Sequence, residues 1–189
     1  LDKNKKTVLV IGGSLGARSI NESIGSGLQR LADNSIQLIW QTGKGYYQTA
    51  QQQVAKFSNK NIFAFEFITK MNLAYAAADI VISRAGASSV SELCNLAMPC
   101  ILVPSPNVAE DHQAKNAMAL VNKEAALLVK DTDALSNLVK VAIALTGDNA
   151  QKEKLSRNIS KMAFHNSANV IAKEVLKLAG YSIDEGAGL

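Results

Sequence analysis

Two hydrophobic patterns alternate along the chain. Short aliphatic runs without polar alternation occur at Thr7–Ile11, Ile36–Trp40, Asn61–Phe65, Asp79–Ser83, Cys100–Val103 and Ala126–Val129. Such runs predict strands buried on both faces. Between them the period lengthens. Ile20, Ile24, Leu28 and Leu31 recur at helical spacing after Gly16, and Tyr47, Ala50, Val54 and Phe57 repeat that spacing within 46–57. Further helices are predicted over 71–77, 88–97 and 110–122. Each strand leads through a Gly-, Ser- or Pro-rich turn into a helix. Crossovers of this kind predict an α/β fold built on a doubly wound parallel sheet.

The last third is different. Segments 134–145, 152–162 and 168–179 are helical with no strands between them. Ile159, Met162, Val170, Ile171, Val175 and Leu178 are expected to cover part of the core or a cleft edge. Gly180 closes the last helix, so 1–180 reads as one domain and 181–189 as a flexible tail.

Composition narrows the class. The 189 residues suffice for one well-packed domain, and 48% hydrophobic with 19% charged residues suits a globular core. The net charge of +4 suits an anionic ligand but is no nucleic-acid signature. Two cysteines, Cys94 and Cys100, and two histidines exclude a disulfide scaffold and Cys-rich zinc sites. Both cysteines read as small buried residues, and His165 as structural or surface. No apolar stretch is long enough to span a membrane. The opening, Leu1-Asp2-Lys3-Asn4-Lys5-Lys6, fits a processed protein or, as the preferred expectation, a piece of a longer one.

In an open α/β sheet, ligands sit at the carboxyl ends of the strands. The loop after the first strand is Gly12-Gly13-Ser14-Leu15-Gly16-Ala17. Its glycines permit a tight turn, and the helix start behind it offers unpaired N–H groups to an anion such as phosphate. Turn chemistry alone also fits, and Ser14 suits either a ligand contact or a helix cap. The glycine spacing is not G-x-G-x-x-G, and Gln41-Thr42 stands where a ribose-binding carboxylate would be expected. Gly43-Lys44-Gly45 is not a nucleotide-hydrolase phosphate loop either.

The loop after the fourth strand is Ser83-Arg84-Ala85-Gly86-Ala87-Ser88-Ser89. With Ser89 as N-cap, Glu92 falls where a capping box places its acid. Alternatively, the two oxygens of Glu92 suit a sugar diol. After the fifth strand, Pro104–Asp111 leads into His112, Gln113, Lys115 and Asn116, which fit either ligand contacts or a solvated first turn. No nucleophile elbow and no acid–base carboxylate pair is present.

Taken together, VLVIGGSLGARSIN (8–21), QTGKGYY (41–47), FEFITKMNLAYAAADIVISRAGASSVSEL (65–93) and MPCILVPSPNVAEDHQAKNAMAL (98–120) resemble the C-terminal domain of the MurG family. These are bacterial transferases that add N-acetylglucosamine to a lipid-linked muramoylpentapeptide. The resemblance implies a Rossmann-like half of a two-domain GT-B glycosyltransferase that binds the donor UDP-N-acetylglucosamine. It places Gly13, Ser14 and Gly16 at the diphosphate, and the Ile68 backbone against uracil. It sets Arg84, Ala87, Ser88 and Ser89 around the diphosphate, with Glu92 on the ribose. Gln113 contacts the transferred sugar, with His112 and Asn116 nearby. It further implies inversion at the anomeric carbon, no bound metal and no cofactor. The acceptor, lipid I, and the catalytic histidine belong to an N-terminal half, at the cytoplasmic face of the bacterial membrane. An epimerase acting on the same donor, and a non-catalytic nucleotide-binding domain, are the alternatives.

Overall fold

The computed structural model describes residues 1–13, 15–106 and 111–181. Six parallel strands form one sheet: β1 (Thr7–Ile11), β2 (Gln37–Gln41), β3 (Ile62–Phe65), β4 (Ile80–Ser83), β5 (Cys100–Leu102) and β6 (Leu127–Leu128). Their order is β3-β2-β1-β4-β5-β6, so the winding reverses between β1 and β4. That reversal opens a crevice at the strand ends, the usual ligand position of such sheets. The helices are α1 (Arg18–Asp33), α2 (Tyr47–Val54), α3 (Met71–Ala77), α4 (Ala87–Asn95), α5 (His112–Val121), α6 (Ala134–Gly147), α7 (Asn149–Ser160) and α8 (Ser167–Leu178). Elements fall within a few residues of their predicted bounds.

The aliphatic runs of β1, β2, β4 and β5 are buried because helices cover both sheet faces, while Leu127 and Leu128 of the edge strand β6 are half-buried. Val8, Val10, Leu38, Trp40, Ile80 and Ile82 pack under α1, α2 and α6. Leu9, Ile11, Ile39, Val81 and Leu102 pack under α3, α4 and α5. On α1, Ile20, Ile24, Leu28 and Leu31 are buried, as their spacing predicts. Each such side chain contributes about 1.5–3 kcal/mol by leaving water. Cys94 and Cys100 are free and buried. Burial pushes the Cys100 thiol up to about 12, an effect Cys94 reinforces, so Cys100 is inert packing.

Three expectations fail. β3 is not buried on both faces: Ile62 and Ala64 point inward while Phe63 and Phe65 are exposed. It is an edge strand, beside β2 alone. The second concerns the tail. Ile159 is fully buried and Met162 is half-buried, yet α8 buries no residue. Val170, Ile171, Val175 and Leu178 are all exposed. The physical reason is that α1, α2 and α6 already fill one sheet face and α3, α4 and α5 the other. The third is the Ser89–Glu92 capping box, taken up below. Of the predicted flexible tail, residues 182–189 lie outside the described residues.

Candidate functional site

A cleft of about 550 Å³ opens at the β1/β4 reversal. Gly12, Gly13 and Gly16 line one side, with Ala17, Arg18, Ser19 and Glu22 from the start of α1. Arg84, Gly86 and Ser89 line the other, and Ser105, Gln113 and Asp131 complete it.

The glycine loop is held by close backbone approach. Gly16 has φ +82°, and a Cβ there would collide with the Thr42 carbonyl oxygen. Gly43 has φ +73°, and its Cβ would strike the Gly16 backbone. Both positions therefore exclude L side chains. Asn21, almost fully buried, ties α1 to the end of β2. It donates to the Thr42 carbonyl (2.8 Å) and accepts from Trp40 Nε1 (3.0 Å). Gln41 links the loop to the segment after β3. Its Nε2 donates to the Gly13 carbonyl (3.3 Å), and its Oε1 accepts from the Ile68 N–H (3.0 Å).

Two helices begin at this cleft with open ends. In α1 the N-cap is Ala17, no side chain caps it, and the first backbone bond is Asn21 N–H to the Ala17 carbonyl (2.8 Å). In α4 the N-cap is Gly86, again without a side-chain cap, and the first bond is Val90 N–H to the Gly86 carbonyl (2.9 Å). The N–H groups of residues 18–20 and 87–89 thus have no intrahelical partner. The two starts add their partial positive charges beside one cleft. This arrangement suits an anion with two charged groups, such as a diphosphate.

The capping box is absent because α4 starts earlier than expected. Ala87 is its first residue, which puts Ser88 and Ser89 inside the first turn. Glu92 lies one turn beyond Ser89, and its Oε2 accepts from the Tyr75 hydroxyl (3.0 Å). Burial and the nearby Glu92 carboxylate raise the Tyr75 phenol above its ordinary value, which keeps it a donor. Glu92 is exposed, and its other carboxylate oxygen has no partner among the described residues, as a diol ligand would require.

The cleft lining takes in five of the twelve predicted residues, Gly13, Gly16, Arg84, Ser89 and Gln113, and Glu92 is not among them. Ala87 and Ser88 are exposed on the first turn of α4. Gln113 Oε1 accepts from the Ser105 N–H (2.9 Å), and Asn116 Nδ2 donates to the Ala85 carbonyl (3.0 Å), so both brace the loops. His112 is exposed at the first position of α5. Ile68 is not part of the cleft lining; it lines an apolar hollow with Phe63, Phe65, Phe67 and Leu73, while Gln41 ties its N–H to the Gly13 carbonyl at the cleft. Ser14 lies outside the described residues. His165 is exposed, on the surface as expected.

Sequence reasoning missed Ser19, Gln41, Tyr75 and Asp131. Asp131 begins an Asp-x-Asp triplet, Asp131-Thr132-Asp133, in the turn before α6. Its carboxylate accepts from Arg84 Nη1 and from Ser19 Oγ. Asp133 is exposed and accepts from Thr132 Oγ1 (3.1 Å). The triplet itself was a readable signal, whereas its partners come from distant segments. Among the described residues, no helix is long and apolar enough to cross a membrane.

Comparison with known proteins follows the same architecture. The family described as Glycosyltransferase family 28 C-terminal domain matches residues 7–175. A transferase from Parabacteroides distasonis is 51% identical over 178 residues, covering 94% of this chain and 48% of its own. One from Bacteroides fragilis is 54% identical over 184 residues, covering 96% and 48%. Both carry the name UDP-N-acetylglucosamine–N-acetylmuramyl-(pentapeptide) pyrophosphoryl-undecaprenol N-acetylglucosamine transferase. The chain spans about half the length of these curated relatives. The crystal structure of MurG from Acinetobacter baumannii superposes with a TM-score of 0.80 at 25% identity, over 92% of this chain and 52% of that one. A UDP-N-acetylglucosamine 2-epimerase superposes with a TM-score of 0.62 at 14% identity, over 99% of this chain and 47% of that one, a likeness of fold.

Proposed function

Because the chain belongs to the Glycosyltransferase family 28 C-terminal domains, we propose that its strand-end cleft holds the diphosphate of UDP-N-acetylglucosamine, as the donor-binding half of a transferase. The observation that carries this is the pair of uncapped helix starts, α1 and α4, flanking the Gly12–Gly16 loop. A diphosphate supplies acceptors for both sets of N–H groups. Glu92, held by Tyr75, takes the ribose hydroxyls. The Ile68 segment meets uracil, and Gln113 meets the sugar from the β5 side, with His112 and Asn116 nearby.

Transfer then needs an acceptor hydroxyl. In this reading it is O4 of the N-acetylmuramoyl group of lipid I, brought by the other half of the enzyme at the cytoplasmic membrane face. The hydroxyl oxygen attacks the anomeric carbon, the bond from that carbon to the UDP oxygen breaks, and the configuration inverts. A base in the other half takes the hydroxyl proton. The negative charge that develops on the leaving phosphate falls at the helix starts, which stabilise it without reorganising.

Titration calorimetry of the chain with UDP-N-acetylglucosamine and with ADP-glucose tests the donor assignment. The uridine ligand is expected to bind at least tenfold more tightly, through uracil contacts of order 1.4 kcal/mol or more. Equal affinities would overturn it. Purified chain given donor and a lipid I analogue should release no UDP, and acceptor-dependent release would overturn the division of labour between halves.

A further inference from the structure

We propose that Asp131 is a positioning residue for Arg84, holding its guanidinium at the cleft so that the remaining N–H groups serve the diphosphate. This rests on the donor-binding reading above and adds a residue that reading does not contain.

Three segments far apart in sequence meet here. Arg84 Nη1 donates to the Val103 carbonyl (3.0 Å) and to Asp131 Oδ1, and Nη2 donates to Ser19 Oγ (3.1 Å). Ser19 Oγ in turn donates to the same Asp131 oxygen. Arg84, Ser19 and Asp131 all line the cleft. The Arg84 and Asp131 side chains are only 16% and 22% exposed, so bulk water does little to weaken the pair.

A guanidinium has five N–H donors. Three are engaged, which leaves Nε–H and one Nη2–H without a partner among the described residues. An arginine free in a loop would have to be ordered by its ligand at an entropic cost. Here Asp131 has already ordered it. The same carboxylate fastens the first turn of α1, through Ser19, to the loop that precedes α4. The spacing of the two open helix starts therefore depends on it as well.

Charge agrees with this role. The charged cleft-lining residues are Arg18, Arg84, Glu22 and Asp131, and each is paired: Arg18 Nε with Glu22 (2.7 Å), and Arg84 with Asp131. The cleft thus carries no net side-chain charge, and attraction for an anion comes from the helix starts and the oriented N–H groups. An Asp-x-Asp triplet can also hold a divalent cation, but Asp131 faces a guanidinium and Asp133 is turned to Thr132.

The test is a double-mutant cycle on the 189-residue chain, titrated with UDP-N-acetylglucosamine. The variants are Asp131→Ala, Asp131→Asn, Ser19→Ala, Arg84→Ala, and Asp131→Ala and Ser19→Ala each combined with Arg84→Ala, all with a melting curve. Asp131→Ala and Arg84→Ala are each expected to weaken binding roughly tenfold, and the double variant no more than Arg84→Ala alone. Asp131→Asn keeps an acceptor for Arg84 and Ser19, so its affinity should stay at or above that of the wild type. Should Asp131→Ala fail to fold, Asp131→Asn and Ser19→Ala carry the test. Ser19→Ala is then expected to lose about threefold, and nothing further in the Arg84→Ala background. Additive losses, wild-type affinity in Asp131→Ala, or Asp131→Asn as weak as Asp131→Ala would overturn the proposal. So would magnesium-dependent binding that Asp131→Ala abolishes. If ADP-glucose binds as tightly as the uridine donor, the cycle is run with it. The donor assignment then fails while coupling at the diphosphate is still measured.

Discussion

The two ends of the sheet treat their polar groups in opposite ways. At the amino end the polar groups nearest the strands are paired with one another. Asp79 accepts from Lys6 Nζ (2.9 Å) and the Thr7 N–H (2.8 Å), and Lys152 Nζ lies 3.9 Å from it. Lys152, nearly buried, also donates to the Thr146 carbonyl (3.0 Å). Gln37 Nε2 bonds the Asp2 carbonyl and Thr7 Oγ1. Asp148 caps α7 by accepting from the Gln151 N–H (2.9 Å). At the carboxyl end, α1 and α4 begin without side-chain caps around a cleft. Capping is cheap for a sequence to supply, since one Ser, Thr, Asn or Asp suffices. Other helices here also lack caps, so openness alone signifies little. What matters is that the open ends of α1 and α4 meet one cleft, which the first turn of α5 also reaches through Gln113. The amino end is arranged for stability, and on the proposed reading the carboxyl end is arranged for an incoming anion.

The substitution expected to do most is Gly86→Asp. Gly86 has φ −65° and ψ 150°, which any residue adopts, and a Cβ there would find nothing nearer than Ser89 Oγ at 4.0 Å. Aspartate fits and caps α4, which should raise stability by a few tenths of a kcal/mol. The same carboxylate takes the N–H groups proposed for the diphosphate and repels it. Donor affinity should fall roughly a hundredfold, about 2.7 kcal/mol. A melting curve and a titration read the two effects, which have opposite signs. Loss of affinity with loss of stability would mean that the open end is not the site.

At the other end, Asp79→Ala should destabilise the fold by about 2 kcal/mol, because it removes charge-assisted bonds and strips Lys152 of its nearest carboxylate. Asp79 is partly exposed, so the larger figures for buried pairs do not apply. Urea denaturation measures the loss, and donor affinity at a temperature where both proteins are folded should not change. A matching loss of affinity would erase the contrast between the ends.

Next, at about 1.5 kcal/mol, is Glu92→Gln. The amide can still accept from Tyr75, so stability should move by only a few tenths of a kcal/mol. Losing the charge should weaken UDP binding about tenfold or more. A 2′-deoxyribose ligand should lose much less, because one of the paired hydroxyls is already gone. Equal losses for the two ligands would remove Glu92 from the ribose.

Much of this contrast was legible in the sequence. Unbroken aliphatic runs such as TVLVI announced parallel strands, and Gly12–Gly16 marked the loop at the reversal, because both signals are local. The start of α4 was misjudged because two serines and a glutamate offer a capping box, while Gly86 and Ala87 offer an earlier start, and propensity does not decide between them. Arg84, Ser19 and Asp131 could not be joined at all. Ser19 and Asp131 are separated by 112 positions, and only the strand order brings them together. The apolar positions of α8 looked like core because periodicity reports an amphipathic face and not what, if anything, covers it.

The smallest effect sharpens the comparison most cleanly. Asp148 is the one described N-cap residue whose side chain accepts a helix N–H, and α7 lies at the end of the sheet away from the cleft. Asp148→Ala removes that acceptor and leaves the Gln151 N–H to water. It also withdraws a negative charge from the positive end of the helix dipole. The loss should be about 1 kcal/mol, since the bond is exposed and water partly replaces it. Asp148→Asn keeps the acceptor and drops only the charge, so it should lose less than half as much. Leu155 and Ile159 on α7 are buried, one against each sheet face, so a frayed first turn still leaves the helix docked. Donor affinity should be unchanged in both variants. Chemical denaturation with an unchanged m-value, run beside a calorimetric titration, reads both quantities. If Asp148→Ala weakens donor binding as much as it weakens the fold, stability is transmitted from one end of the sheet to the other. The open helix starts at the cleft would then lose their standing as a separate functional feature.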